Sequence, residues 1–172
     1  RNADQTTRQG LELSWQQTIW KELNIQSSFS YIDAEFDSYT AEIANPNNPT
    51  KPYAKAINKG NKIPGISKNQ VFTRIAWQPE QGFQAGLEAR YMDKIYVDDI
   101  NSDTAPSYTV VAANVGYLWV NRDWKVNSYA RVDNLFDRNY VGSVIVNDSN
   151  SRFFEPADGR NFSVGMSVTK AF

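Results

Sequence analysis

Apolar and polar residues alternate at a period of two through most of this chain. In one such segment Leu87 and Ala89 alternate with Glu88 and Arg90. A period of two is that of a β-strand, whose successive side chains point to opposite faces of a sheet. The pattern therefore predicts an all-β protein of about seven strands, each about ten residues long, which suits a tilted membrane crossing. The alternating segments cover residues 10–16, 23–31, 70–77, 83–92, 108–120, 124–133 and 162–172.

The links between these segments alternate in length without a break. Short links fall at residues 17–22, 78–82 and 121–123, and long links at 37–67, 98–107 and 137–160. Outer-membrane β-barrels have short periplasmic turns and longer outer loops. The order therefore predicts an antiparallel up-and-down sheet with all of its short turns at one end.

The tryptophans support the same arrangement. All five lie beside the short links: Trp15, Trp20, Trp77, Trp119 and Trp124. Amphipathic aromatic rings collect at the boundary between membrane and water. We expect an aromatic girdle at one end of the sheet; the alternative is a set of core tryptophans in a soluble domain.

Composition excludes several kinds of chemistry. The chain has no Cys and no His, so it has neither disulfides nor thiolates, and neither Ser-His catalysis nor His-ligated metals. Its net charge of −1 gives no reason to expect nucleic acid as a partner. No apolar run is long enough for a membrane helix, and no paired carboxylates suggest acid–base catalysis. We expect no enzyme activity, no cofactor and no metal, although Asp98, Asp99 and Asp103 could hold a hard cation if they are not simply solvated.

The polar faces of the predicted strands carry charges. They are Arg74, Glu88, Arg90, Arg131 and Asp133. In a barrel these side chains would face the interior while lipid covers the apolar face; in a soluble β-sandwich they would be the solvated face. Pairing of Arg74 with Glu88 across neighbouring strands is the structural alternative to an interior contact, and we prefer it.

An open sheet cannot stand alone in lipid. Every backbone group there must be paired, and bacterial single-chain barrels use an even number of strands. A sheet of about seven strands would leave the backbone groups of its two edge strands unpaired. The polar start, Arg1–Asp4, carries no secretory signal. We therefore expect further strands outside residues 1–172.

Several motifs, taken in order, resemble those of one family. Residues Arg131–Tyr140 resemble the "V-x-N-L-F-D-x-x-Y" signature of TonB-dependent outer-membrane receptors, and Phe153–Phe162 resemble their "EP-x-x-GR" stretch. Thr7–Glu12 is similar to the "T-x-x-G-x-E" strand opening, and Lys62–Lys68 to the "P-G-x-x-K/R" strand entry. The closing strand is similar to the terminal barrel signal, carried here by Val164, Met166, Val168 and Phe172, with Lys170 as a departure from it.

The resemblance implies a receptor of about 22 strands with a plugged lumen. Such receptors lie in the Gram-negative outer membrane as multi-pass proteins and take up scarce nutrients, most often ferric siderophores, with energy from TonB. Residues 1–172 would be the C-terminal part of the barrel, with the plug and the N-terminal strands absent. The implied partners are a ferric siderophore or similar chelate, the TonB complex through the missing plug, the barrel-assembly machinery and outer-membrane lipid.

Ligand contacts are expected on the long outer loops. Tyr39, Tyr53 and Lys55 could pack against and pair with an anionic ferric chelate, and so could Arg152 with Phe153 and Phe154. An ordinary solvated loop is the alternative for the first group, and an outer aromatic girdle for the second.

Two other functions stay open at this point. One is a small free-standing outer-membrane barrel with an anchoring or adhesive role. The other is a soluble β-sandwich that acts as a binding module.

Overall fold

The computed structural model describes residues 5–45 and 48–170, apart from the side chains of residues 41–44 and 49–55. Within these residues, no helix has the length and apolar character needed to cross a membrane. The strands, in chain order, are β1 (Gln5–Trp20), β2 (Leu23–Asn45), β3 (Asn48–Ile57), β4 (Asn69–Trp77), β5 (Gly82–Met92), β6 (Ile95–Tyr96), β7 (Thr104–Ala105), β8 (Tyr108–Asn121), β9 (Trp124–Asp133), β10 (Val141–Val144), β11 (Phe154–Pro156) and β12 (Asn161–Lys170).

One antiparallel sheet dominates the structure. Its strand order is β1-β2-β4-β5-β8-β9-β12, so neighbours in space follow one another along the chain, with β3 paired to the far part of β2. Every ladder of this sheet is antiparallel. The prediction of about seven strands in an up-and-down order is confirmed.

The first long link differs from the prediction. Residues 37–57 were expected to be loop, but β2 continues to Asn45 and pairs with β3 from Tyr39 onward. Strand β2 extends past the start of β4, so the backbone groups of its far part need other hydrogen-bond partners. Strand β3 supplies them by folding back on β2 as a hairpin. The other two long links carry little regular structure: β7 in the link at 98–107 pairs with β6 just before it, and β10 pairs with β11 within the link at 137–160.

The two faces of the sheet differ sharply in polarity. One face carries large apolar side chains that nothing covers: Leu87 is 48% exposed, Val115 59% and Val164 82%. Neighbours on this face include Leu11, Leu13, Trp15, Ile75, Trp77, Phe83, Trp119, Trp124, Phe162, Met166 and Val168, all exposed. A contiguous apolar surface across a whole sheet indicates contact with lipid or another apolar phase.

Hydroxyl groups on the apolar face are satisfied within the sheet. Ser27 Oγ lies 3.0 Å from Thr73 Oγ1 and donates to the Phe72 carbonyl at 3.3 Å. Ser128 Oγ donates to the Tyr117 carbonyl at 3.3 Å. Because an unpaired polar group in an apolar environment costs several kcal/mol, this internal pairing makes small polar residues compatible with the apolar face.

The short turns lie at one end of the sheet. Lys21 (φ 39) and Arg122 (φ 47) take left-handed conformations in two-residue turns, which close at Trp20↔Leu23 and Asn121↔Trp124. The ladder from β2 to β4 also starts there, at Leu23↔Trp77. Trp20, Trp77 and Trp124 are all exposed beside these turns, so the expected clustering of tryptophans at one end is confirmed.

The apolar face gives a direct test. Leu87→Arg should destabilise the full-length protein by about 2–4 kcal/mol, because a charge would enter the hydrocarbon at mid-strand. Guanidinium unfolding in phosphatidylcholine vesicles measures the loss. Ser28→Arg on the polar face is the matched control and should change stability little; equal losses would contradict the assignment of faces.

Candidate functional site

Four charged side chains on the polar face form one network. Glu88 of β5 lies between two arginines, with Oε1 3.5 Å from Arg74 Nε and Oε2 2.8 Å from Arg131 Nη2. Arg131 Nη2 is also 2.8 Å from Asp133 Oδ1, and Arg131 Nε donates to the same oxygen at 2.9 Å. The expected pairing of Arg74 with Glu88 is confirmed, and the network extends it to β9.

The register of the sheet explains how Arg131 reaches Glu88. Strand β8 lies between β5 and β9, with Ala112 opposite Glu88 and Asn114 opposite Arg131. The methyl side chain of Ala112 leaves the space above β8 open, so the guanidinium can cross it. The network therefore ties β4, β5 and β9 together across the face that carries the charges.

Arg90 stands apart from this network. No ion pair of Arg90 occurs among the described residues, and its side chain is exposed. It borders two open cavities, one of about 520 Å³ with Glu12, Phe72 and Met92, and one of about 350 Å³ with Arg131, Asp133 and Tyr140. Arg90 thus offers unused hydrogen-bond donors to whatever fills this face.

Asn134 organises the turn after β9. It is 6% exposed and takes a left-handed conformation (φ 50). Its Nδ2 donates to the Arg138 carbonyl at 2.8 Å and to the Asp158 carbonyl at 3.3 Å, while its Oδ1 accepts from Arg138 N at 2.9 Å. Asn tolerates this conformation better than most residues and can bond its own turn, which explains the residue type at this position.

The second motif meets the first at the same place. Asp137 (φ 52) accepts a hydrogen bond from Arg160 N at 2.9 Å, and its carboxylate lies 3.8 Å from Arg160 Nη2. A Cβ at Gly159 would lie 3.2 Å from Asp137 Oδ1, so glycine fits this approach. The ring of Tyr140 packs against Tyr108, with centroids 4.4 Å apart. The two sequence motifs are therefore halves of one folded junction between β9 and β12.

The outer loops pack into a common layer. Val97 is fully buried; its carbonyl accepts from Asn147 N at 2.9 Å, and Gly65 N donates to the Tyr96 carbonyl at 2.9 Å. Asn147 Nδ2 donates to the buried Asp99 at 3.1 Å. These bonds hold the loop at 93–104 between the loops that precede β4 and follow β10.

The loop aspartates serve this packing. Asp98 accepts hydrogen bonds from Ser102 N at 2.7 Å and from the Ser102 hydroxyl, while Asp99 is bonded to Asn147. Asp103 accepts from Thr104 N at 2.7 Å. Within residues 5–45 and 48–170 no group of three or more acidic side chains is arranged to hold a metal ion.

Lys62 anchors the entry to β4. Its Nζ lies 2.7 Å from Asp33 Oδ1 and 3.0 Å from Glu35 Oε2. The hydrogen bond to Asp33, followed by the one to Glu35, raises the pKa of Lys62. The hydrogen bond from Lys62 likewise holds the pKa of the Asp33 carboxyl below its ordinary value. Asp33 and Lys62 lie beyond the row of Tyr31 and Asn69, where β4 begins.

The candidate ligand residues fall in different surroundings. Tyr39 stacks on Phe36, with centroids 5.1 Å apart, beside the small core of Phe36 and Ile57. Phe153 and Phe154 meet edge to face at 6.3 Å, and Phe154 begins the outer strand β11. Arg152 is exposed, and its backbone N donates to Asp148 at 2.8 Å. The side chains of Tyr53 and Lys55 lie outside the described residues, and their proposed role stays a prediction.

The residues of the terminal signal lie on the apolar face. Val164, Met166 and Val168 are exposed along β12, whose partner is β9. Phe172 lies outside the described residues. Recognition of this segment by assembly machinery stays a prediction.

Sequence reasoning missed three structural centres: the Asn134 junction, the Asp99–Asn147 contact and the Lys62 ion pairs. Only the Asn134 junction could have been predicted from the sequence, because Asn is one of the few residue types that often adopt a left-handed conformation in turns. The other two join residues that are distant in sequence, 48 positions apart for Asp99 and Asn147.

The charge network is testable by a double-mutant cycle. Glu88→Gln and Arg131→Gln should show a coupling energy of about 1–2 kcal/mol, because both groups are only partly exposed and share a short ion pair. Chemical unfolding of the full-length protein in detergent supplies the four stabilities. The longer pair Lys59–Asp37, 3.8 Å apart with a largely exposed lysine, is the control and should couple by less than about 0.5 kcal/mol. Additive losses at Glu88 and Arg131 would contradict the network.

The Asn134 junction gives a further prediction. Asn134→Ala should cost about 2–4 kcal/mol of stability, because it removes three hydrogen bonds and strains a left-handed backbone. Asn134→Gly should cost less, since glycine relieves the strain and loses only the bonds. Asn139→Ala, at an exposed site of the same turn, is the control. Thermal unfolding that ranks the three variants differently would reject this account.

Comparisons with known proteins agree with this geometry. Residues 1–135 match the family model described as TonB dependent receptor-like, beta-barrel. The chain is 24% identical over 160 residues to the probable TonB-dependent siderophore receptor PiuA of Acinetobacter baumannii, which covers 93% of this chain and 20% of that protein. It is 29% identical over 139 residues to the ferrichrome outer membrane transporter/phage receptor of Escherichia coli, covering 78% of this chain and 16% of that protein.

Solved structures show the same fold. The siderophore receptor PiuA from Acinetobacter baumannii superposes with a TM-score of 0.77 at 24% identity, over 96% of this chain and 22% of that one. The ferric preacinetobactin receptor BauA superposes with a TM-score of 0.73 at 18% identity, over 95% of this chain and 22% of that one. The chain thus spans about a fifth of the length of these relatives. It belongs to the TonB-dependent receptor-like β-barrel family and forms part of the wall of such a barrel.

Proposed function

We propose that this chain forms part of the wall and outer loops of an outer-membrane receptor that takes up a ferric siderophore with energy from TonB. The observation that carries the proposal is the sheet itself, apolar and exposed on one face and charged on the other, in a chain that belongs to a family of receptors. Relatives named for siderophore and ferrichrome transport support the substrate class.

The two faces support a location in the outer membrane. The apolar face, with Leu87 and Val115, contacts the lipid of a Gram-negative outer membrane, and the polar face lines the barrel interior. In lipid the outer edges of β1 and β12 also need partners, because unpaired backbone groups are costly there. The remaining strands of a barrel of about 22 supply them, with residues 1–172 as its C-terminal segment.

The polar face meets a plug domain in this proposal. The network around Glu88 satisfies most of its own charge, whereas Arg90 keeps free donors beside two open cavities. Arg90 is therefore the side chain of this wall best suited to bond the plug, through which TonB would act. Arg131 would contribute to the same surface from the edge of its network.

Ligand contact is assigned to the outer loops. Arg152 is exposed beside the aromatic pair of Phe153 and Phe154. An anionic ferric chelate offers charge for the guanidinium and flat ring surface for the aromatics. Tyr39 is the weaker candidate since it already stacks on Phe36; Tyr53 and Lys55 lie on the same hairpin, in β3.

Assembly is assigned to the last strand. Val164, Met166 and Val168 present an alternating apolar row, which the barrel-assembly machinery would recognise together with the aromatic Phe172. We propose no catalytic step, no cofactor and no nucleic-acid partner; iron is the cargo of the receptor.

Uptake of radioactive iron tests the function. Cells that lack their own siderophore receptors would express the full-length protein, and ferrichrome and a ferric catecholate would be the probes. Accumulation of iron from one chelate, dependent on both the receptor and TonB, is the expected result. Accumulation that persists without TonB, or none from any chelate tested, would contradict the proposal.

Variants of the outer loop test the ligand site. Combined Arg152→Ala and Phe154→Ala substitutions should weaken the apparent affinity for the transported chelate about tenfold or more, as for anchor residues at an interface. Arg138→Ala, at another exposed arginine, is the control. Unchanged uptake in the double variant would place the ligand elsewhere.

The intact mass of the native protein distinguishes the receptor from the alternative, a small free-standing barrel. A mass several times the 19.5 kDa of these residues is expected for the receptor. A mass close to that value would instead favour a small free-standing barrel with an anchoring role.

A further inference from the structure

Two asparagines in the outer loops have a left-handed backbone. Asn101 has a φ of 55° and Asn147 a φ of 57°. Asn tolerates this conformation better than most residues. From these two turns, each amide side chain reaches a loop other than its own and bonds it. The two asparagines therefore join loops that are distant in sequence.

Asn101 joins the loop at 93–104 to the loop that precedes β4. Its Oδ1 accepts from Lys62 N at 2.7 Å, and its Nδ2 donates to the Lys62 carbonyl at 2.8 Å. One side chain thus bonds both backbone groups of Lys62, as a residue of a neighbouring antiparallel strand would. Asn61 Nδ2 adds a bond to the Asp99 carbonyl at 3.0 Å, so the two loops are joined at more than one point.

Asn147 joins the same loop to the segment between β10 and β11. Its Oδ1 accepts from Asp99 N, and its Nδ2 donates to Asp99 Oδ1, both at 3.1 Å. Its backbone N donates to the Val97 carbonyl at 2.9 Å. Asp99 and Val97 are buried, and hydrogen bonds that are shielded from water are stronger than exposed ones. The contact therefore fixes the β10–β11 segment on its neighbour.

Apolar packing extends the connection to the β2–β3 hairpin. Ile63, from the loop before β4, and Ile100, from the loop at 93–104, both pack against the small core of Phe36 and Ile57. Phe36 belongs to β2, and Ile57 is the last residue of β3. The base of the hairpin and the two loops thus share one core.

The candidate ligand residues lie on different members of this assembly. Ile145 N donates to the Phe153 carbonyl at 2.9 Å, which ties the aromatic pair to the segment that carries Asn147. Tyr39 stacks on Phe36 at the base of the hairpin. The position of one group relative to the other therefore depends on the loop that Asn147 bonds.

We propose that Asn101 and Asn147 are positioning residues that join three outer segments, 58–68, 93–104 and 145–153, into one body. This body presents both groups of candidate ligand residues to the ferric chelate together. In this role the two amides need not touch the chelate; they lower the cost of ordering the loops when it binds. The role in binding rests on the proposed function, whereas the joining of the segments does not.

Hydrogen exchange of the full-length protein in detergent, measured by mass spectrometry without ligand, tests the joining. Asn147→Gly keeps the left-handed backbone, which glycine adopts freely, and removes the amide alone. We expect amides in 93–104 and also in 58–68 to exchange about tenfold faster, because loss of these bonds lowers the local stability of the whole body. Asn101→Gly should accelerate exchange in the same two segments and in 145–153.

The matched control is Asn150→Gly. Asn150 is exposed in the same loop as Asn147 and bonds Asp148 through its backbone N at 3.1 Å. The change therefore adds similar local flexibility without removing any of the bonds that join the loops. Exchange outside 145–153 should stay as in the wild type. Acceleration confined to 145–153 in Asn147→Gly, or equal acceleration of the distant segments in Asn150→Gly, would overturn the proposal.

Uptake of radioactive iron from ferrichrome and from the ferric catecholate tests the positioning role. Asn147→Gly should raise the KM for the transported chelate about tenfold and leave Vmax per receptor within about twofold of the wild-type value. The physical reason is that misplaced loops weaken capture of the chelate, whereas the step driven by TonB is unaffected. Asn150→Gly should change neither constant.

The two measurements separate this inference from the proposed transport function. An unchanged KM in Asn147→Gly, with accelerated exchange, would reject the positioning role. Absence of uptake by the wild type from either chelate would reject the transport function, and the exchange result would still decide whether the three segments form one body.

Discussion

The rest of the structure depends on one constraint: in hydrocarbon, backbone N–H and C=O groups have no water to bond. Antiparallel ladders satisfy this requirement between β1 and β12, apart from the outer edges of these two strands, and the hydroxyls of Ser27 and Ser128 bond back to the sheet for the same reason. A sheet that is satisfied internally can present Val115 and Val164 outward without a second layer. The sparse buried core, centred on Phe36 and Ile57 among the described residues, is a consequence of this arrangement.

Beyond the membrane-facing rows the source of stability changes. The outer loops are held by hydrogen bonds and ion pairs, such as Asn147 with Asp99 and Lys62 with Asp33, beside buried apolar residues such as Val97. Each such contact is worth more when its groups are shielded from water. The family motifs at Asn134 and Asp137 are explained in the same terms, because their hydrogen bonds close the junction between β9 and β12.

The polar face combines structural and available charge. Arg131 bonds both Glu88 and Asp133, so these three charges are paired within the wall. Arg90, on the same strand as Glu88, has no such partner among the described residues and borders the open cavities of this face.

The sequence by itself determined the strand period, the up-and-down order, the end at which the tryptophans lie and the pairing of Arg74 with Glu88. These features are local or follow from antiparallel neighbours along the chain. Only the tertiary structure decided that residues 37–57 form a hairpin, that Arg131 crosses β8 above Ala112, and that Asp99 meets Asn147. Such contacts join segments far apart in sequence, and no residue pattern encodes them until register and loop packing bring the partners together.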